Sequence, residues 1–119
     1  PIPWTTTGSS FGFGPNGSHL PQPEWFAAFA MEKQQGTPGS TLEMYREAIA
    51  LRASLLGDNS FKWITTSDTV LHYERNDGWQ VITNFGDEAV AMPDGDVLIC
   101  STDCDGTTLP GNATAWLKV

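Results

Sequence analysis

Four side chains with chemistry of their own, Cys100, Asp103, Cys104 and Asp105, fall within the segment CSTDCDG near the end of a 119-residue chain. Two carboxylates so close offer either oxygen ligands for calcium or an acid/base pair. Calcium asks for six or more oxygens, and two acids in a Thr/Gly-rich loop without further ligands are more simply turn formers. The thiols are separated by three residues, a spacing that admits a small-loop disulfide, although the expectation is two reduced thiols of a cytoplasmic protein. A structural zinc site asks for four ligands, and His19 and His72 lie far off in sequence. No metal site is therefore assigned.

Other candidate chemistry is thinner. Gly12-Phe13-Gly14-Pro15-Asn16-Gly17 spells G-x-G-x-x-G. A dinucleotide site needs that run to leave a strand and open a helix whose N-terminus holds the pyrophosphate. Here no strand is expected before it, and Pro15 removes an N–H donor from the loop. His72 alternates with Leu71 and Tyr73 on a strand pattern, where a histidine is structural more often than catalytic. No Ser-His-Asp or Cys-His grouping can be picked out. Asn16-Gly17-Ser18 and Asn112-Ala113-Thr114 fit the glycosylation triplet, which has meaning only on a secretory route. Taken alone, these residues support no catalytic assignment and call for no cofactor.

Composition narrows the partners. A formal net charge of −8, from 14 acidic against 6 basic residues, repels phosphate backbones and anionic lipid surfaces, so neither nucleic acid nor membrane is expected. A hydrophobic fraction of 39% with five Trp excludes a disordered tail. No apolar run approaches the roughly 20 residues that span a bilayer.

The elements that must position any site change character twice along the chain. PIPWTTTGSSFGFG opens it without a charged residue, and its prolines and glycines predict an ordered loop to about residue 22. Pro23, Glu24, Trp25, Phe26, Phe29, Ala30 and Lys33 then follow helical spacing, which predicts a helix over about 23–35. Gly36, Pro38 and Gly39 end it. Ser40-Thr41-Leu42-Glu43 is a capping box opening a helix over 40–56, with Gly57 as its stop. That helix carries two apolar lines, Leu42, Tyr45, Ile49 and Leu56 on one and Met44, Ala48, Leu51 and Leu55 on the other, a face wide enough to be buried on more than one side. After Gly57 the period drops to two, and short β-branched and aromatic runs at 61–65, 70–75, 79–85, 88–92, 97–101 and 113–119 predict about six antiparallel strands in a small sandwich or Greek-key sheet. Asn76-Asp77-Gly78 and Pro93-Asp94-Gly95 mark reversals between them.

The order of motifs resembles one family. PIPW, FGFGPNG, LPQP, EKQQGTPGSTLEMYREAIALR, VLHYER, VITNFGDE and TLPGNATAWL follow one another as they do at the C-terminal end of bacterial α-glucosidases of glycoside hydrolase family 13, including the maltase, oligo-1,6-glucosidase and trehalose synthase kinds. The resemblance implies an α+β fragment in which residues 1–57 are the end of a catalytic (β/α)8 barrel, the loop after its eighth strand and its eighth helix. Residues 58–119 would be an all-β antiparallel C-terminal sandwich domain. It places Trp4, Phe11 and Phe13 at the rim of the sugar pocket, because barrel active sites lie at the C-terminal ends of the strands. It also implies a bacterial cytoplasmic hydrolase whose two catalytic carboxylates come from an upstream barrel, the partner of this segment, with an oligosaccharide substrate reaching it only through that parent enzyme. No Asp or Glu of this chain inherits a catalytic role.

The competing reading is a stand-alone carbohydrate-binding module with Trp25, Trp63 and Trp79 as a sugar-stacking platform. Helical and alternating placement instead predicts core packing for all three. A self-sufficient enzyme would require catalytic residues that are not identifiable.

Overall fold

The computed structural model describes residues 1–57, 60–75 and 78–119, and the chain divides into two compact units, Pro1–Ala50 and Leu51–Val119.

In the first unit the opening loop tightens at Ser9–Gly12, where Ser10 and Phe11 take positive φ of 50° and 48°. The single helix expected over 23–35 is instead two short pieces, a 3₁₀ turn at Glu24–Phe29 and helix α1 at Met31–Gln34. Between them Ala30 is extended (φ −59°, ψ 145°) and fully buried. The cause is competition for hydrogen bonds: the N–H groups of Met31 and Glu32 donate to the carbonyls of Pro3 and Trp4, both at 3.0 Å. Those donors tie the helix to the opening loop, and continuous helical pairing through Ala30 gives way.

Helix α2, Thr41–Leu55, stands where the capping signal put it. Ser40 Oγ accepts from the Glu43 N–H at 3.3 Å, half of a capping box. The other half is diverted, since the Glu43 carboxylate accepts from the Gly36 N–H at 2.8 Å and from Arg46 at 2.7 Å. Gln34 completes the cap. Its Oε1 accepts from the Leu42 N–H at 3.0 Å while its Nε2 donates to the Phe29 carbonyl at 2.7 Å, so one side chain joins the 3₁₀ turn to the start of α2. No residue of α2 is fully buried. Met44, Ala48, Leu51 and Leu55 are half-buried, whereas Tyr45, Ile49 and Leu56 remain exposed at 59%, 66% and 40%.

Among the described residues the second unit holds seven strands: β1 Lys62–Thr66, β2 Val70–Arg75, β3 Trp79–Asn84, β4 Val90–Ala91, β5 Asp96–Cys100, β6 Thr108–Leu109 and β7 Ala113–Lys118. They form a five-stranded antiparallel sheet in the order β1-β2-β3-β7-β5 and a two-stranded ribbon, β4-β6. β6, two residues long, is the strand that alternation could not reveal. The Asn76-Asp77 part of the β2–β3 turn signal lies outside the described residues. At the Pro93-Asp94-Gly95 reversal a Cβ on Gly95 would stand 2.6 Å from the Lys118 carbonyl oxygen, so only glycine fits beside the end of β7.

Residues paired across strands share a face. His72, Ile82, Ala115 and Cys100 form one such row, and the core lies on this side, where Ile82, Ala113, Ala115 and Leu117 pack with Met92 and Leu109 from the ribbon segments. Asn84 anchors that packing. It is 1% exposed, its Nδ2 lies within bonding distance of the carbonyls of Glu88 (2.8 Å), Pro110 (3.1 Å) and Leu109 (3.3 Å), and its Oδ1 accepts from the Gly86 N–H at 2.9 Å.

Two stability outcomes follow from these bonds. Asn84→Ala removes several net hydrogen bonds of about 1 kcal/mol each and strands buried carbonyls, so urea denaturation is expected to show a loss on the order of 3 kcal/mol. Ser40→Ala removes the α2 cap and is expected to cost on the order of 1 kcal/mol. An unchanged midpoint in either variant removes the role assigned to that side chain.

Candidate functional site

In the first unit, the opening loop and the two helices enclose an open, mainly apolar hollow of about 330 Å³. Ile2, Trp4, Phe29, Met31, Leu42 and Tyr45 line most of it. It exists because the carbonyls of Pro3 and Trp4 meet α1 and because Gln34 draws the start of α2 alongside. Its chemistry is apolar contact. Of the three residues expected at a sugar-pocket rim, Trp4 lines this hollow, and Phe11 and Phe13 do not. Trp4 and Phe11 are nevertheless joined through the backbone, since the Phe11 carbonyl accepts from the N–H groups of Trp4 at 2.8 Å and Thr5 at 3.0 Å. Phe13 is 52% exposed beside them. Glu32 reaches back from α1 to hold the loop, accepting from the Thr6 N–H at 2.9 Å. The G-x-G-x-x-G run lies in these turns, and the chain continues in turns rather than a helix after Gly17.

The three tryptophans part company. Trp79 is 5% exposed, buried on the face of the sheet opposite the ribbon, with its ring 5.2 Å from that of Trp116. Trp25 and Trp63 are 61% and 54% exposed, which corrects the expectation of core packing for them. Trp25 meets its neighbours Phe26 and Phe29 edge-on, at 4.5 and 5.8 Å. Trp63 stands on the edge strand β1, where Phe61 and Tyr73 gather round it at 4.8 and 5.8 Å.

Elsewhere in the second unit, His72 is buried and its Nε2 lies 2.8 Å from Gln80 Oε1, a bond within the sheet that leaves it a packing histidine. Asp105 behaves as a turn former. One of its carboxylate oxygens accepts from the N–H groups of Thr107 and Thr108, both at 2.8 Å, and the two threonine hydroxyls add further bonds. Those donors, the Thr108 N–H first, hold its carboxyl down to a pKa of about 2. Asp103 and Cys104 line a shallow hollow with Asp105, Thr108 and Pro110. Among the described residues no group of three or more His, Cys, Asp or Glu is placed to hold a metal ion, and no helix is long and apolar enough to cross a membrane.

The functional residues that sequence reading missed are Gln34, Met31 and Tyr45 as builders of the hollow. Gln34 carried a signal, its position six residues before the capping serine, but nothing local showed that its amide would serve as the cap.

No protein-family model and no curated protein matches the chain. Solved structures do. Isomaltulose synthase (PalI) from Klebsiella sp. LX3 superposes with a TM-score of 0.78 at 20% identity, over 99% of this chain and 24% of that one. The alpha-glucosyl transfer enzyme XgtA superposes with a TM-score of 0.68 at 24% identity, over 99% of this chain and 25% of that one.

Asp105 yields a measurable outcome. Its folded pKa lies below the ordinary carboxylate value, so its contribution to the 105–108 turn is complete above that ordinary value and is lost as pH falls through about 2. Titration of its carboxyl carbon by NMR is expected to show a midpoint near 2, and a midpoint at 3.8 or above removes the turn-forming role.

These comparisons establish a fold: this chain, an α+β arrangement of short helices and an antiparallel sheet, shares nearly all of its architecture with about a quarter of the length of two larger enzymes.

Proposed function

We propose that this chain is the C-terminal, non-catalytic part of an α-glucosidase of glycoside hydrolase family 13, acting on α-glucosidic bonds of maltose-type oligosaccharides. The observation that carries the reading is the asymmetry of the fold likeness, 99% of this chain against 24–25% of an isomaltulose synthase and an alpha-glucosyl transfer enzyme. Residues 1–57 then belong to the end of the catalytic (β/α)8 barrel, with α2 as its eighth helix, and residues 58–119 to the β domain behind it. Exposed Tyr45 and Ile49 on α2 support this assignment, since a barrel helix needs an apolar face for its neighbours. Trp4, Phe11 and Phe13 sit in the loop that would reach the rim of the sugar pocket.

The chemistry expected of the parent is retaining. One carboxylate attacks the anomeric carbon while a second protonates the leaving oxygen, and water then releases the sugar. Both carboxylates belong to the upstream barrel, the partner of this segment, in a bacterial cytoplasmic enzyme. A second reading shares every structural feature: a sugar hydroxyl replaces water as acceptor, as in a trehalose synthase. The two fold neighbours, an isomaltulose synthase and an alpha-glucosyl transfer enzyme, support this second reading.

The purified chain is expected to show no hydrolysis of p-nitrophenyl α-glucoside, and activity is expected when it is co-expressed with the polypeptide carrying the barrel. Turnover by the chain alone would overturn the proposal. Calorimetric titration of the isolated chain with maltose tests the remaining alternative. Measurable binding would move the assignment to a carbohydrate-binding module, for which exposed Trp63 and Phe61 are the available stacking surface.

A further inference from the structure

Cys100 closes β5 and Cys104 follows a three-residue turn, and both are half-buried free thiols. Cys100 pairs with Ala115 on the covered face of the sheet. Both thiols pack against the same buried apolar cluster, and only three residues separate them along the chain. The backbone fixes that placement from both sides. Before the turn, the Ser101 N–H donates to the Thr114 carbonyl and the Thr114 N–H donates to Ser101 Oγ, each at 2.9 Å. After it, the Asp105 carboxylate holds Thr107 and Thr108. Two thiols held together between such anchors have a high effective concentration for one another.

We propose that Cys100 and Cys104 form a reversible disulfide by exchange with a small-molecule disulfide, so that the connection from β5 to β6 is a redox-sensitive loop. Cys104 is the attacking sulfur, because it lines the open hollow beside Asp103, Thr108 and Pro110. Burial pushes the Cys100 thiol above its ordinary pKa, and the neighbouring Cys104 adds to this, which suits Cys100 to the second step. In the first step Cys104 gives its proton to water, and the thiolate attacks one sulfur of the small disulfide. That S–S bond breaks, one small thiolate leaves, and a mixed disulfide remains on Cys104. In the second step Cys100 loses its proton and attacks the Cys104 sulfur, expelling the other small thiolate. The two cysteines lose two electrons in all, and the small disulfide becomes two thiols that take up the two protons. Closing so short a loop removes little chain entropy from the unfolded state. The bond therefore acts locally, tying the end of β5 to the segment that leads into the ribbon strand β6.

The test equilibrates the whole chain in buffers of increasing oxidised-to-reduced glutathione ratio, quenches with iodoacetamide, and reads intact mass and the mass of the peptide carrying both cysteines. The expected product is monomeric, lighter than the reduced chain by two hydrogens, free of alkylation at both sites, and restored by dithiothreitol. Cys100→Ser is expected to retain one glutathione on Cys104 as a stable mixed disulfide, because the second step is gone. Two alkylated thiols at every ratio, glutathione retained on the unmutated chain, or covalent dimers would each overturn the proposal.

Discussion

A primary amide taken out of water costs a few kcal/mol unless every donor and acceptor finds a partner, and at Asn84 that demand organises the β unit. Its two N–H donors are shared among three carbonyls and its oxygen takes the Gly86 N–H, so the loop after β3 and the turn before β7 must converge on one point. That convergence brings the Leu109 end of the ribbon over Ile82 and Ala113 and creates the covered face of the sheet. Apolar contacts then supply the bulk of the stability, but they are not directional. The amide network is what selects this closure over another with similar burial.

The first unit is arranged on the same principle by a different amide. Gln34 sits at the end of a helix only four residues long, too short to persist on its own backbone bonds. Its side chain satisfies the Leu42 N–H at the start of α2 and the Phe29 carbonyl behind it, and Ser40 Oγ donates to the Gln34 carbonyl at 2.8 Å. Helix α2 is thereby held beside the Pro3-Trp4 segment, and the apolar hollow is the space left between them. Ala30 is fully buried where the two short helical pieces meet, next to the Met31 and Glu32 N–H groups that bond to Pro3 and Trp4.

What was legible in the sequence was what is local. The cap at Ser40, the period of two after Gly57, the turn at Pro93-Asp94-Gly95 and the turn chemistry of Asp105 depend on neighbours a few residues away. The helix expected over 23–35 broke because its competitors for hydrogen bonds, the carbonyls of Pro3 and Trp4, lie more than twenty residues upstream. Asn84 was visible only as the end of a strand, since its partners at Leu109 and Pro110 are brought by the fold. Trp25 and Trp63 followed inward patterns and stand exposed because a period tells which residues share a face, not whether anything covers that face.

That last distinction bears on what the sheet is for. On the side opposite the ribbon, the pairings run Trp63, Tyr73, Val81, Trp116 and Ile99 across all five strands, an unbroken apolar row. An antiparallel sheet with one solvated face alternates apolar with polar, whereas this one is apolar on both. Val81, in the middle of the row, is 4% exposed, while Trp63 at the edge keeps 54% of its surface in water. Exposed Tyr45 and Ile49 repeat the pattern on α2. Contiguous apolar surface of this kind is unusual on a protein that acts alone and ordinary on a part that packs against a larger body. The same surplus that leaves Trp25 and Trp63 exposed is therefore apolar surface available for packing against another body.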